Sequence, residues 1–190
     1  PFDPKGYKLV LVNSKVKHEL VGSPYNDRRK SCENVVAALN KHFPDKKFET
    51  LRDATWMELD EVKSEISAED YTRAHFVLGE KDRVLAVSDA LEAGDYETVG
   101  KKMYETHEGL SKEYEVSCEE LDYLVEIAKE NGVSGSRIMG GGFGGCTINL
   151  VKEDVYDKFI ADAKKKFSAK YGHEPEVYPV VISDGSHKVC

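Results

Sequence analysis

Between Gly140 and Gly145 five of six residues are glycine, broken only by Phe143, and strand-like stretches flank the run on both sides. Glycine has no Cβ, reaches positive φ cheaply and costs more chain entropy to order than any other residue. So dense a cluster restricts the fold to a tight connection whose main chain lies close against something else. Bound phosphate, or another phosphate-binding loop, is the usual partner of such N–H groups. Gly140, Gly142 and Gly145 satisfy G-x-G-x-x-G, but the dinucleotide reading needs a helix to open after the last glycine. Cys146-Thr147-Ile148-Asn149-Leu150-Val151 follows instead, alternating apolar and polar residues as a strand does. A Walker A loop fails too, because Cys146-Thr147 stands where Lys and Ser/Thr are required. A plain antiparallel connection stays open as the bland reading, although hairpins need few glycines.

Length and charge narrow the surroundings of this loop. At 190 residues the chain is one domain by size, large enough for a proper core. A net charge of -8 argues against nucleic acid and anionic membrane as partners. No apolar run is long enough to span a bilayer, and no basic-then-apolar leader precedes Tyr7. Cys32, Cys118, Cys146 and Cys190 are scattered without a C-x-x-C, as expected of reduced thiols in a cytoplasmic protein. The six histidines show no close pairing of ligand spacing, so no metal site is indicated. Pro1 to Gly6 reads as a linker, with the domain proper from residue 7 to 190.

The periodicities set an element order. Tyr7–Ser14 is strand-like, with Leu9 and Leu11 on one face and Val10 and Val12 on the other. Ser23-Pro24 offers an N-cap and first-turn proline to a helix whose apolar stripe is Cys32, Val35, Val36, Leu39 and Phe43. Several helices are expected between Thr55 and Lys129, one pair broken at Gly94-Asp95. Ser117 with Glu120 reads as a capping box ahead of Leu121, Leu124, Val125 and Ala128, and Asn131-Gly132 closes that helix. Two strands flank the glycine loop, a helix runs from Lys152 to Tyr171, and Val177–Ser183 is a last strand, which Pro179 places at a sheet edge. The order β, helices, β, β, α, β predicts an α+β fold. Its sheet is four-stranded and mainly antiparallel, with helices packed on one face plus extra helices.

The stretch GSRIMGGGFGGCTINLV resembles the third signature motif of the GHMP kinases, in its galactokinase form. Asn13-Ser14-Lys15-Val16-Lys17-His18-Glu19-Leu20, running on to Tyr25 and Arg28-Arg29, resembles the galactokinase segment N-S-x-V-R-H-x-L…Y-x-x-R-R. Tyr114-Glu115-Val116-Ser117-Cys118-Glu119-Glu120-Leu121-Asp122 resembles its Y-x-V-S-C-x-E-L-D. The resemblance covers essentially the whole chain but only the C-terminal half of a galactokinase. It implies a ferredoxin-like C-terminal domain that completes a kinase site with its own N-terminal domain. ATP and Mg²⁺ would be bound mainly by that domain, which also carries the catalytic Asp.

The whole protein would phosphorylate the anomeric hydroxyl of α-D-galactose to galactose 1-phosphate. The resemblance makes Tyr25 the galactose-binding residue, with Lys17, Arg28, Arg29 and Arg137 in support. Gly140, Gly141, Gly142, Phe143, Gly144 and Gly145 form the third motif, Phe143 serving as an apolar peg. It assigns no catalytic residue and no metal ligand to this segment. Two departures stand out: Lys17 where the family usually has Arg, and Gly109 where it commonly has Ser. An N-acetylgalactosamine kinase domain and a non-catalytic galactose or ATP sensor on the same fold are the alternatives. Self-association through the exposed domain interface is a further expectation.

Overall fold

A computed structural model describes residues 4–17, 24–183 and 185. Strand β1 (Tyr7–Asn13) points Val10 and Val12 to one side and Leu9 and Leu11 to the other, the period of two that a strand imposes. It lies inside a four-stranded sheet of order β2-β3-β1-β4, formed with β2 (Gly135–Ile138), β3 (Cys146–Lys152) and β4 (Glu176–Pro179). All neighbouring pairs are antiparallel. Leu9 faces Leu150, Leu11 faces Ile148, and Ile138 faces Thr147. β4 is an edge strand, but it ends at Pro179 rather than running on to Ser183. Proline brings no N–H to the ladder, and pairing beyond it amounts to one bond from the Val180 amide to the Leu9 carbonyl, 3.0 Å.

Six α-helices accompany the sheet among the described residues: α1 (Tyr25–His42), α2 (Trp56–Glu61), α3 (Ala68–Ala93), α4 (Tyr96–Lys112), α5 (Glu119–Glu130) and α6 (Glu153–Tyr171). α5 and α6 cover the Val10/Val12 face, where Leu124, Ile127, Phe159 and Phe167 close the main core. Each such large side chain contributes roughly 1.5–3 kcal/mol by leaving water. The extra helices reach the opposite face. Ala90 of α3 with Val99 and Met103 of α4 packs on Leu150. α1, α2 and α3 form a separate core around Val35, Leu39, Leu59 and Leu78.

Side-chain caps open α2, α3 and α4, while α1, α5 and α6 start without one. Ser67 caps α3 at the Asp70 amide (3.0 Å), Asp95 caps α4 at the Thr98 amide (3.0 Å), and Gly94 ends α3 at φ +71°. Ser117 does not cap α5. Cys118 takes the N-cap position in an extended conformation, and the Ser117 hydroxyl turns to the Asp122 carboxylate instead. The capping-box reading is corrected there: α5 opens at Glu119 with Cys118 at its N-cap, so Ser117 stands one residue ahead of the capping position and its hydroxyl donates to Asp122. At α1 the N-cap is Pro24 itself, and Ser23 lies outside the described residues. Gly109 also finds its reason: a Cβ there would lie 2.4 Å from the Phe76 ring, so a serine has no room.

Candidate functional site

Three stretches far apart in sequence meet where β2 passes into β3. The Met139 amide extends the ladder to the Cys146 carbonyl (2.9 Å), and the turn between them runs left-handed at Gly140 (φ +84°), Gly142 (+83°), Phe143 (+59°) and Gly145 (+80°). Ser14, buried at the end of β1, donates both its amide and its hydroxyl to the Gly145 carbonyl at 2.9 Å. The Gly145 amide donates in return to the Val16 carbonyl, 3.2 Å. On the other side of the loop the Phe143 amide donates to the Val116 carbonyl at 2.5 Å.

Glycine is required where those backbones touch. A Cβ on Gly142 would stand 2.1 Å from the Val116 carbonyl oxygen, and one on Gly144 2.7 Å from that of Val16. What two of the glycines approach so closely is therefore main chain of this protein, at the two other motif segments. Gly140 and Gly141 differ: a Cβ on Gly140 meets nothing within 4 Å, and one on Gly141 meets only the Tyr25 ring at 3.9 Å. Tyr25 opens α1 with 44% of its surface exposed, beside this outward side of the loop.

The basic residues separate. Arg28 is turned inward at 8% exposure and donates through Nε to the Tyr114 carbonyl (2.9 Å) and through Nη2 to the Glu115 carbonyl (2.6 Å). Its guanidinium also lies over the Phe143 ring at 5.6 Å, so α1 grips both the 114–115 turn and the glycine loop. Arg28 also has an acidic partner within the chain, the Glu115 carboxylate at 3.8 Å. Arg29 instead pairs with Glu33 on the exposed side of α1, 2.8 Å, and Lys17 is exposed. Arg137 donates to the Ile138 carbonyl (2.9 Å) and lines a cavity of about 300 Å³ with Leu9, Glu80, Arg83, Lys102 and Thr106. Arg28 alone of the four thus joins Tyr25 and the loop.

Of the groups that hold the Val116 segment, the sequence pattern contains Ser117 and Asp122 but gives no sign of Ser111 or His107. Asp122 accepts hydrogen bonds from the Ser117 hydroxyl, from the Ser111 hydroxyl at 2.8 Å and from His107 Nε2 at 3.1 Å. Burial pushes its carboxyl up, but these donors outweigh it and hold the pKa at about 2. His107 and Asp122 lie fifteen positions apart on different helices, beyond any local spacing. Burial raises the thiol of Cys118, to about 11, and that of Cys146, so neither is an activated nucleophile.

Comparison with known proteins agrees with this geometry. Residues 87–169 match the family GHMP kinases C terminal. The chain is 43% identical to the galactokinase of Clostridium beijerinckii over 97% of its length, and 39% identical to that of Homo sapiens over 99%. These matches take in 47% and 45% of the relatives, so the chain spans about half the length of the curated proteins it matches. Lactococcus lactis galactokinase, solved in complex with galactose, superposes on the whole chain at a TM-score of 0.90 and 28% identity, over 48% of its own length. The mevalonate kinase of L. major, solved in complex with R-mevalonate, shares the fold at a TM-score of 0.51 and 20% identity. The chain is a GHMP kinase C-terminal domain, similar along its whole length to galactokinases.

Proposed function

We propose that the chain is the C-terminal half of a galactokinase, which moves a phosphoryl group from ATP to the anomeric hydroxyl of α-D-galactose. The observation that carries this reading is the exposed Tyr25 at the start of α1, set against Gly141 of the third motif. A side chain at a helix's first residue projects past the helix end, where a tyrosine hydroxyl can meet a sugar hydroxyl. The glycine loop beside it supports the wall of a shared cleft. Phosphoryl transfer also needs a phosphate cradle, a metal and a group that orients the nucleophile. Among the described residues no three Asp, Glu, His or Cys side chains gather to hold a cation. Following the family resemblance, Mg²⁺ and most of the ATP contacts are assigned to the protein's N-terminal domain, the proposed partner of this one.

The test is ADP release by the full-length gene product with galactose, ATP and Mg²⁺, comparing wild type with Tyr25→Phe. Losing one neutral hydrogen bond costs roughly 0.5–1.5 kcal/mol, so the galactose KM should rise about 2- to 13-fold with the ATP KM unmoved. A changed ATP KM beside an unchanged galactose KM refutes the role of Tyr25. Preference for N-acetylgalactosamine, or galactose binding without turnover, refutes the substrate or the activity.

A further inference from the structure

We infer that Asp122 is a positioning residue that sets the glycine loop through the Val116 carbonyl. The inference rests on reading the loop as part of the kinase site. Val116 is the loop's contact on the α4–α5 side: its carbonyl receives the Phe143 amide at 2.5 Å and leaves room at Gly142 for a glycine only. Val116 follows a turn that leaves the end of α4, where its own amide donates to the Leu110 carbonyl (2.9 Å), and that turn is gripped from two further directions. Arg28 holds the Tyr114 and Glu115 carbonyls from α1. Ser117 is held from α5, its hydroxyl on an Asp122 carboxylate that Ser111 and the buried His107 fix in turn. Were Ser117 there only to cap α5, its hydroxyl would accept a helix amide, and α5 has no side-chain cap bond.

Backbone strain marks the same seam. Among the described residues the non-glycine positions with positive φ are Lys15 (+63°), Glu115 (+50°) and Phe143 (+59°). Lys15 lies between Ser14 and Val16, which hold Gly145. Glu115 precedes Val116, and Phe143 is in the loop itself. Non-glycine residues stay in this region only when their surroundings over-determine it. Arg28 and Arg73 also face the Glu115 carboxylate, at 3.8 and 3.7 Å. Weakening the Asp122 anchor frees this turn to relax toward ordinary φ and draws the Val116 carbonyl off the loop. The Gly145–Val16 bond, on the far side, does not depend on it.

Amide exchange in the 190-residue chain, read by NMR in wild type, Asp122→Asn and Ser117→Ala, separates positioning from plain stability. Asp122→Asn should speed exchange at Phe143 about tenfold relative to Gly145, the size expected for weakening one charge-assisted anchor. Ser117→Ala should act in the same direction, and Ser117→Thr, which keeps the hydroxyl, should match wild type. In the full-length kinase Asp122→Asn should lower kcat about tenfold while leaving the galactose KM within about twofold. Exchange at Phe143 and Gly145 rising together, or neither changing in a folded variant, overturns the inference. So does an unchanged kcat. If the wild-type protein fails to phosphorylate galactose, the proposed function falls, while the selective exchange still decides what Asp122 does.

Discussion

Gly142 and Gly140 share a φ near +84° but not a neighbourhood, and the difference is measurable. Alanine at Gly140 meets only the conformational penalty, on the order of 1–2 kcal/mol. Alanine at Gly142 adds a clash 2.1 Å from a carbonyl oxygen that other bonds hold in place, so on the order of 3–5 kcal/mol is expected. Urea unfolding of the two variants should show that gap, and equal losses would mean that the Val116 contact yields freely. Gly142 is then a stability residue first, and a Gly142 variant with poor turnover must be shown to be folded. Two carboxylates give a pH signature at this scale. A hydrogen bond from Lys46 holds Glu58 at about 2 against the opposing effect of burial, and the donors around Asp122 hold it at about 2. Both values lie below their ordinary 4.5 and 3.8, so their stabilisation is full above that range and lost as pH falls toward 2. The melting temperature should fall over that interval, and Glu58→Gln should flatten the fall. A Glu58→Gln profile parallel to wild type would remove Glu58 as a source.

The elements were legible where a period announces them. Val10 and Val12 alternating with Leu9 and Leu11 specify β1, and Val35, Val36 and Leu39 specify the buried face of α1. Arg28 belongs to that face as well, at i, i+3, i+7 and i+11 with Ser31, Val35 and Leu39, yet a cation extends no hydrophobic pattern and its burial stayed hidden. Ser117-x-x-Glu120 fits a capping box, but a sequence pattern does not show that α5 opens one residue later, with Cys118 at its N-cap. The seat of α4 on β2 was silent for another reason: it is made by missing side chains. A Cβ on Gly100 would lie 2.0 Å from the Ser134 carbonyl oxygen, where Gly79 on α3 would meet only the flexible tip of Arg83 at 3.0 Å. Helix propensity favours alanine over glycine at both positions by about 1 kcal/mol. Gly79→Ala should therefore stabilise by up to that amount, while Gly100→Ala should destabilise by about 1–3 kcal/mol as α4 is pushed off the strand. Thermal melts of the pair decide it, and the same sign for both would show that α4 shifts without cost.

At the scale of the molecule, three apolar clusters close around the sheet and helices among the described residues, each with its members buried. Among the described residues no helix is long and apolar enough to cross a membrane. Val84, Leu85, Tyr178, Val181 and Ile182 remain exposed, so weak self-association of the 190-residue chain is expected. The same chain should be folded and without turnover. It should fold because none of its clusters borrows a residue from elsewhere. It should be inactive because, on the proposed reading, the phosphate cradle, the metal and the catalytic carboxylate belong to the N-terminal domain. Their loss removes the positioning and charge stabilisation on which phosphoryl transfer depends. On the same reading Tyr25 and the outward side of the glycine loop supply one wall of a cleft, and one wall cannot enclose ATP or a sugar, so affinity for either should be weak. A cooperative melt, together with no ADP release above background in galactose, ATP and Mg²⁺, is the expected result. Turnover that survives repurification away from host kinases would place the chemistry inside these residues, and the division of labour argued from Tyr25 and the loop would have to be abandoned.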